Sequence, residues 1–223
     1  MQPTVLMALE DYVPVIISLI SFYWITQVAR FFAKNTENLA KLALVVIASA
    51  GLLKATEKLI WAVTSEEVLW MRSSLFILNS VGFTFMAWIV WYAQKNSQSE
   101  NGGIWRVPIA LVASILALVS YAAFMLPGRT WFFIALAAAS IANITMIFFL
   151  VKQSIKLKVP ISVGLYVLYF VVILSMVFLS KSPSATTHFE WIKQAANTLA
   201  AIIFAVASWN LLLRAKSNRA APH

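Results

Sequence analysis

Residues 107–128, VPIALVASILALVSYAAFMLPG, and residues 130–151, TWFFIALAAASIANITMIFFLV, are two runs of 22 residues without a charged side chain, separated by Arg129 alone. About 20 apolar residues in a helix rising about 1.5 Å each cover the roughly 30 Å hydrocarbon core of a bilayer. Pro127-Gly128 supplies a tight turn, so the pair predicts a helical hairpin crossing a membrane twice. Five further apolar segments lie on either side of it: Tyr12 to Ala29, Leu42 to Thr64, Ser73 to Gln94, Val159 to Ser180 and Gln194 to Leu213. With their flanks, spans are expected at 10–33, 38–64, 68–94, 104–126, 129–153, 159–181 and 189–214. The expected fold class is an all-α integral membrane protein, a seven-transmembrane-helix bundle forming a single domain over residues 1–223.

Composition agrees. Hydrophobic residues make up 61% and charged residues 11% of the chain, against about a quarter charged in soluble domains. Seven spans in 223 residues leave short connections and no room for a separate soluble domain. No basic residue precedes Arg30, so the start does not read as a secretory signal, and the first helix is expected to remain in the mature protein.

Basic residues near helix ends are retained on the cytoplasmic side. With the N-terminus outside, the inner face receives Arg30, Lys34, Lys41, Lys95, Arg106, Lys152, Lys156, Lys158, Arg214, Lys216 and Arg219, and the outer face only Lys54, Lys58, Arg72, Arg129, Lys181 and Lys193. The excess predicts N-terminus out and C-terminus in. Eight of the nine tryptophans fall at the two expected interfaces, where indole rings anchor helices, and Trp24 lies deeper. The net charge of +9 is spread singly along one membrane face, which suits anionic lipid headgroups and not nucleic acid.

The chain has no cysteine, so disulfides, thiolate metal sites and thiol nucleophiles are excluded. Its one sequon, Asn143-Ile144-Thr145, lies within a span. Short loops without a usable sequon suit a multi-pass protein of a prokaryotic plasma (cell inner) membrane. His188 and His223 are the only histidines, and no metal-ligand spacing or nucleophile with a base is present, so neither an enzyme nor a cofactor site is expected.

Trp70-Met71-Arg72 with Trp88 and Trp191-Ile192-Lys193 with Trp209 repeat one spacing, and Ser-x-x-x-Ile-Thr recurs at Ser21 and Ser140. These suggest three helices, a linker helix, then three related helices, with the polar Lys95 to Gly103 stretch, KNSQSENGG, dividing three spans from four. In topology alone such a plan resembles sugar-efflux (SWEET) transporters and opsin-type bundles. The Pro-Gln dipeptide of the former and the mid-helix lysine of the latter's last span are missing, so the resemblance implies nothing about substrate.

Only the second span is interrupted by charge. Lys54, Glu57, Lys58 and Trp61 follow at three- and four-residue steps, hence on one helix face. Counted from Leu39, Lys54 lies roughly 22 Å and Glu57 roughly 27 Å along the helix, in the outer third of the membrane. Each buried charge costs roughly 2.5 to 3.5 kcal/mol on insertion scales, so such groups face a partner or a watery cavity. The hairpin returns Arg72 to the same depth, and a Glu57–Arg72 bridge is expected. Two of Lys54, Lys58 and Arg72 then remain uncompensated and attract a small anionic ligand, unless they snorkel to headgroups with Glu66 and Glu67 at the turn as partners. Asn79, with Ser80, on the third span, Asn143 on the fifth and Asn197 on the seventh are amides that extend such a site inward or join helices. Glu10 and Asp11 are expected to pair with Lys193. The expected ligand-binding set is Lys54, Glu57, Lys58, Arg72, Asn79 and Asn197. It belongs to a small transporter or receptor for a polar or anionic molecule. The other expectation is a non-catalytic subunit or scaffold binding membrane lipids, a membrane-protein partner or its own copy.

Overall fold

The computed structural model describes residues 2–95, 104–180 and 187–220. The polar stretch after Lys95, together with Lys181 and His223, lies outside the described residues. The helices are α1 (Val5–Glu10), α2 (Tyr12–Phe32), α3 (Glu37–Thr64), α4 (Leu69–Lys95), α5 (Arg106–Met125), α6 (Thr130–Lys156), α7 (Pro160–Ser180) and α8 (Thr187–Ala220), with a 3₁₀ turn at Lys34–Thr36. Six described segments are long and apolar enough to cross a membrane, α1 and α2 counting as one, and α7 is an apolar helix of 21 residues. The chain is an all-α bundle of six to seven long apolar helices, consistent with a multi-pass membrane fold.

Helix ends follow local chemistry. The Thr4 side chain accepts the Met7 N–H and caps α1, and Ser65 closes α3 in the left-handed region at φ 64°, its N–H returning to the Trp61 carbonyl at 3.0 Å. The turn from α5 to α6 passes through Gly128 at φ 72°, where the absence of a Cβ removes the steric cost.

Helices that follow one another pack as neighbours, α2 on α3, α3 on α4, α6 on α7 and α7 on α8, and contacts of α4 with α6 and of α8 with α2 close a ring. Outside it lies α5, against α4 and α6. One end of the bundle carries the 3₁₀ turn and the ends of α4 and α6, here the Lys34 end. The other carries the α3–α4 and α5–α6 turns, here the Ser65 end.

Close packing is concentrated toward the Lys34 end. The main apolar cluster takes Phe22 to Ala33 from the first helix, Leu39 to Ile47 from α3, Phe85 to Ala93 from α4, Met146 to Leu150 from α6 and Ala200 to Ala215 from α8. Phe204 lies against the rings of Phe22, Tyr166 and Tyr169, with centroids 5.2, 5.7 and 4.8 Å away. Gly82 lets α4 approach α3, because a Cβ there would stand 2.5 Å from Ile47 Cγ1. Polar bonds add to this in α7 and α8, where the Ser162 hydroxyl donates to the Ala207 carbonyl at 2.9 Å and the Tyr166 hydroxyl meets Ser208 at 3.2 Å. Trp24, unexplained as an interface anchor, packs on Trp209 of α8 at 4.9 Å.

Candidate functional site

The Ser65 end is laced by polar contacts, whereas the main apolar cluster lies toward the Lys34 end, which has polar bonds of its own such as Asn35 Nδ2 to Tyr92 Oη at 3.1 Å and Gln94 Nε2 to the Phe149 carbonyl at 2.6 Å. Asp11, at the junction of α1 and α2, bonds Lys58 Nζ of α3 at 2.9 Å through Oδ2 and accepts Gln194 Nε2 of α8 at 3.0 Å through Oδ1. The same Gln194 amide donates to the Met7 carbonyl at 2.8 Å, and the Thr198 hydroxyl donates to Glu10 Oε1 in a short bond. Tyr12 and Thr56 join their hydroxyls at 2.9 Å, and Gln2 Nε2 reaches the Trp61 and Ala62 carbonyls and Ser65 Oγ at 2.9–3.3 Å. Asp11 is thus the hub linking the first helix to α3 and α8.

The expected pairings of Glu57 with Arg72 and of Glu10 and Asp11 with Lys193 are corrected. Arg72 Nη1 lies 3.2 Å from Glu67 Oε2, five residues back at the exposed turn, and forms no ion pair with Glu57. Lys58 is neutralised by Asp11. Lys193 bonds Glu190 at 2.7 Å within its own helix, so it is Gln194, one residue on, that meets the first helix. Although adjacent residues on a helix point apart, Glu10 and Asp11 both reach α8, one at Thr198 and the other at Gln194, because the chain turns between α1 and α2 at Asp11.

Two charges of the expected cluster are left over. Lys54 is exposed and forms no ion pair among the described residues. Glu57 is only 4% exposed, and its Oε1 is buried with no hydrogen-bond partner among the described residues. Glu10 Oε2 and Gln194 Oε1 are likewise buried acceptors without a donor. The cluster is therefore not a block of surplus cations. It holds one free ammonium, one unpaired carboxyl and several bare acceptor oxygens.

The amides complete the geometry. Positions seven apart on a helix share a face to within about 20°. On α8, Asn197, Phe204 and Leu211 form such a row, as do Asn79, Met86 and Ala93 on α4 and Lys54, Ile47 and Ala40 on α3. In every row the two members toward the Lys34 end are buried, whereas Asn79 and Asn197 are half-buried and Lys54 is exposed. Cover thus decreases along these three rows at the level of the expected site residues, while Ala50, Ala55 and Glu57 on α3, Ser80 on α4 and Gln194 on α8 stay buried. Asn79 and Asn197 stand on helices that belong to different parts of the ring, and neither makes a side-chain hydrogen bond among the described residues. Ser80 turns back to the Ile77 carbonyl of its own helix at 2.7 Å, and Asn143 Oδ1 is buried without a partner.

Glu10, Gln194 and Thr198 are the participants that the sequence reading missed or misassigned. Their signal was there, since Gln194 and Thr198 are polar residues at i and i+4 in a mostly apolar run that also holds Asn197. Among the described residues no group of His, Cys, Asp or Glu is arranged to hold a metal ion.

Compared with known proteins, the chain matches no family model, no curated protein and no solved structure.

Proposed function

We propose that this chain is a seven-span protein of a prokaryotic cell membrane, N-terminus outside and C-terminus inside, that admits a small polar molecule bearing an anionic group into its outer half. It acts as a transporter or receptor and not as an enzyme. The observation that carries the proposal is the change in cover along the Lys54, Asn79 and Asn197 rows, each buried toward the Lys34 end and, at the site level, half-buried at Asn79 and Asn197 and exposed at Lys54. A bundle built only to be stable would continue its apolar packing through both halves.

Lys54 supplies the positive charge for the anionic group, and Glu57 offers a bare carboxyl oxygen to a donor on the same guest. Asn79 and Asn197 supply hydrogen bonds from two walls. Lys58 and Arg72, engaged by Asp11 and Glu67, act indirectly by fixing helix ends. A guest carrying both an acid and a donor group, such as a zwitterion, suits this set better than a simple anion. The orientation is supported by the basic residues of the Lys34 end. The place of α5 outside the ring supports a linker role in a three-plus-one-plus-three plan. A second role, binding lipid or a membrane protein without chemistry, is favoured by the groove that α5 leaves between α4 and α6.

The absence of native cysteine makes the test direct. Single cysteines at Asn79 and Asn197 are expected to react with a membrane-impermeant thiol reagent applied outside intact cells, and cysteines at Met86 and Leu211 are not. Labelling of all four alike, or of Asn79 and Asn197 only from the inside, would refute the outward opening. Thermal stabilisation by a member of a panel of amino acids, carboxylates and phosphate esters, lost in Lys54→Gln, tests the ligand. If Lys54→Gln leaves such a shift unchanged, the assigned role of Lys54 is wrong.

A further inference from the structure

A cleft of about 530 Å³ opens between the Lys34 ends of α4 and α6, lined by Trp91, Gln94, Lys95, Phe149, Lys152 and Lys156 among others. A second cavity, of about 450 Å³, runs between α4, α5 and α6, and Trp91 and Phe149 line both. The two adjoin across these rings, and together, here called the channel, they offer a basic mouth and an apolar body whose walls include Leu111, Ile115 and Ile141.

Three features of this channel fit one kind of occupant. Lys95, Lys152 and Lys156 are exposed, no carboxylate lines the mouth among the described residues, and none of the three is in an ion pair there. Lys152 and Lys156 stand at i and i+4, where like charges repel unless an anion lies between them. Lys95 sits over the Trp91 ring at 5.1 Å from its centroid, which places the ammonium at the border between the mouth and the groove. Along α6 the groove runs from Ala138 to Phe149, eleven residues or about 16 Å, close to half of the roughly 30 Å hydrocarbon core. Lys152 and Lys156 follow at the depth where headgroups lie.

We infer that this channel is a binding site for an anionic glycerophospholipid of the leaflet at the Lys34 end, one acyl chain in the groove under α5 and the phosphate against Lys95, Lys152 and Lys156. A free anion would not use the apolar groove, and a lipid without net charge would leave the lysines uncompensated. The site is separate from the outer half of the bundle and does not depend on its function. Basic pockets between helices recur as sites for acidic headgroups.

The test uses the full chain purified in detergent, with phosphatidylglycerol, phosphatidylcholine or inorganic phosphate added, read by native mass spectrometry and thermal unfolding. A lysine near an anionic surface is worth about a fivefold change in affinity, so three give phosphatidylglycerol roughly a hundredfold preference over phosphatidylcholine. The double variant Lys152→Gln/Lys156→Gln, changed only at exposed positions, is expected to keep about fivefold preference and its unfolding temperature without lipid. Ala138→Leu, which narrows the groove, is expected to weaken phosphatidylglycerol while leaving any response to phosphate unchanged. Equal binding of phosphatidylcholine would show ordinary boundary lipid and overturn the proposal. So would stabilisation by inorganic phosphate equal to that by phosphatidylglycerol, or a preference unchanged in the double variant.

Discussion

Asp11→Asn is the substitution that tests the polar lacing of the Ser65 end most sharply, because it removes one charge and almost no volume. The Asn oxygen can still accept the Gln194 amide, so the loss is concentrated on Lys58. That lysine's ammonium lies 2.9 Å from Asp11 Oδ2, with side-chain exposures of 22% and 13%. At an effective dielectric of about 20, the direct attraction at this distance is roughly 6 kcal/mol, much of it offset by the cost of taking both groups from water. Breaking a fully buried pair costs about 3–5 kcal/mol and an exposed one below about 1. This pair stands between those limits, so Asp11→Asn should destabilise the bundle by about 2 kcal/mol, or about 4–8 °C in unfolding temperature. Lys58→Met alone should cost less, since Asp11 keeps its bond to Gln194. The two together should cost less than their sum by about 1–2 kcal/mol. The assay is reversible unfolding in detergent micelles as a double-mutant cycle. The exposed pair Glu67–Arg72, with 37% and 56% exposure, serves as the comparison and should couple by under about 0.5 kcal/mol. Equal coupling in the two cycles would refute the assignment of Asp11 as a hub.

Gly82→Ala would put a Cβ 2.5 Å from Ile47 Cγ1 and should cost about 1–3 kcal/mol. Unfolding measurements should find that Gly82→Ala costs little in an Ile47→Ala background, where the clashing Cγ1 is absent. Phe204→Ala removes a ring touching Phe22, Tyr166 and Tyr169 and should cost about 3–5 kcal/mol. The same unfolding assay checks it, and a loss under about 1 kcal/mol would mean that the cavity had collapsed or was never filled. Lys158 follows α6 at φ 56°, so Lys158→Gly should stabilise by about 0.5–1 kcal/mol, visible as a small rise in unfolding temperature.

The apolar segments and the helices coincide closely because a bilayer imposes length and composition together, and both can be read along the chain. Glu57 and Lys58 show where such legibility stops. Their spacing gives one helix face, and that is correct as far as it goes, yet the partner of each depends on which helix stands beside α3. Arg72 was the expected partner because the hairpin returns it to the right depth. Glu67 lies nearer along the chain, at the exposed turn where a guanidinium remains hydrated. Lys58 could not be chosen over Lys193 as the partner of Asp11 without knowing that α2 packs between α3 and α8. The openness of the Asn79 and Asn197 rows is equally invisible in sequence. An Asn on an inward face has the same pattern whether it is packed, as an interhelical bond, or uncovered.

The two ends of the bundle differ in the balance of apolar and polar contacts, and the proposed function rests on that difference. At the Lys34 end, Phe204, Met86 and Leu211 fill the interior, and such packing excludes water and transmits force between helices. At the Ser65 end, α2, α3 and α8 are joined at their edges through Asp11, Lys58, Gln194 and Thr198. Edge bonds of this kind hold helices in register without filling the space between them. That leaves Lys54 exposed and Asn79 and Asn197 half-covered, and it leaves Glu57 with a carboxyl oxygen that no neighbour satisfies. An unsatisfied buried oxygen costs free energy in a protein that gains nothing from it. Under the proposed function, a guest supplying the missing donor would recover that cost on binding, and the defect in the second apolar segment would become a source of affinity.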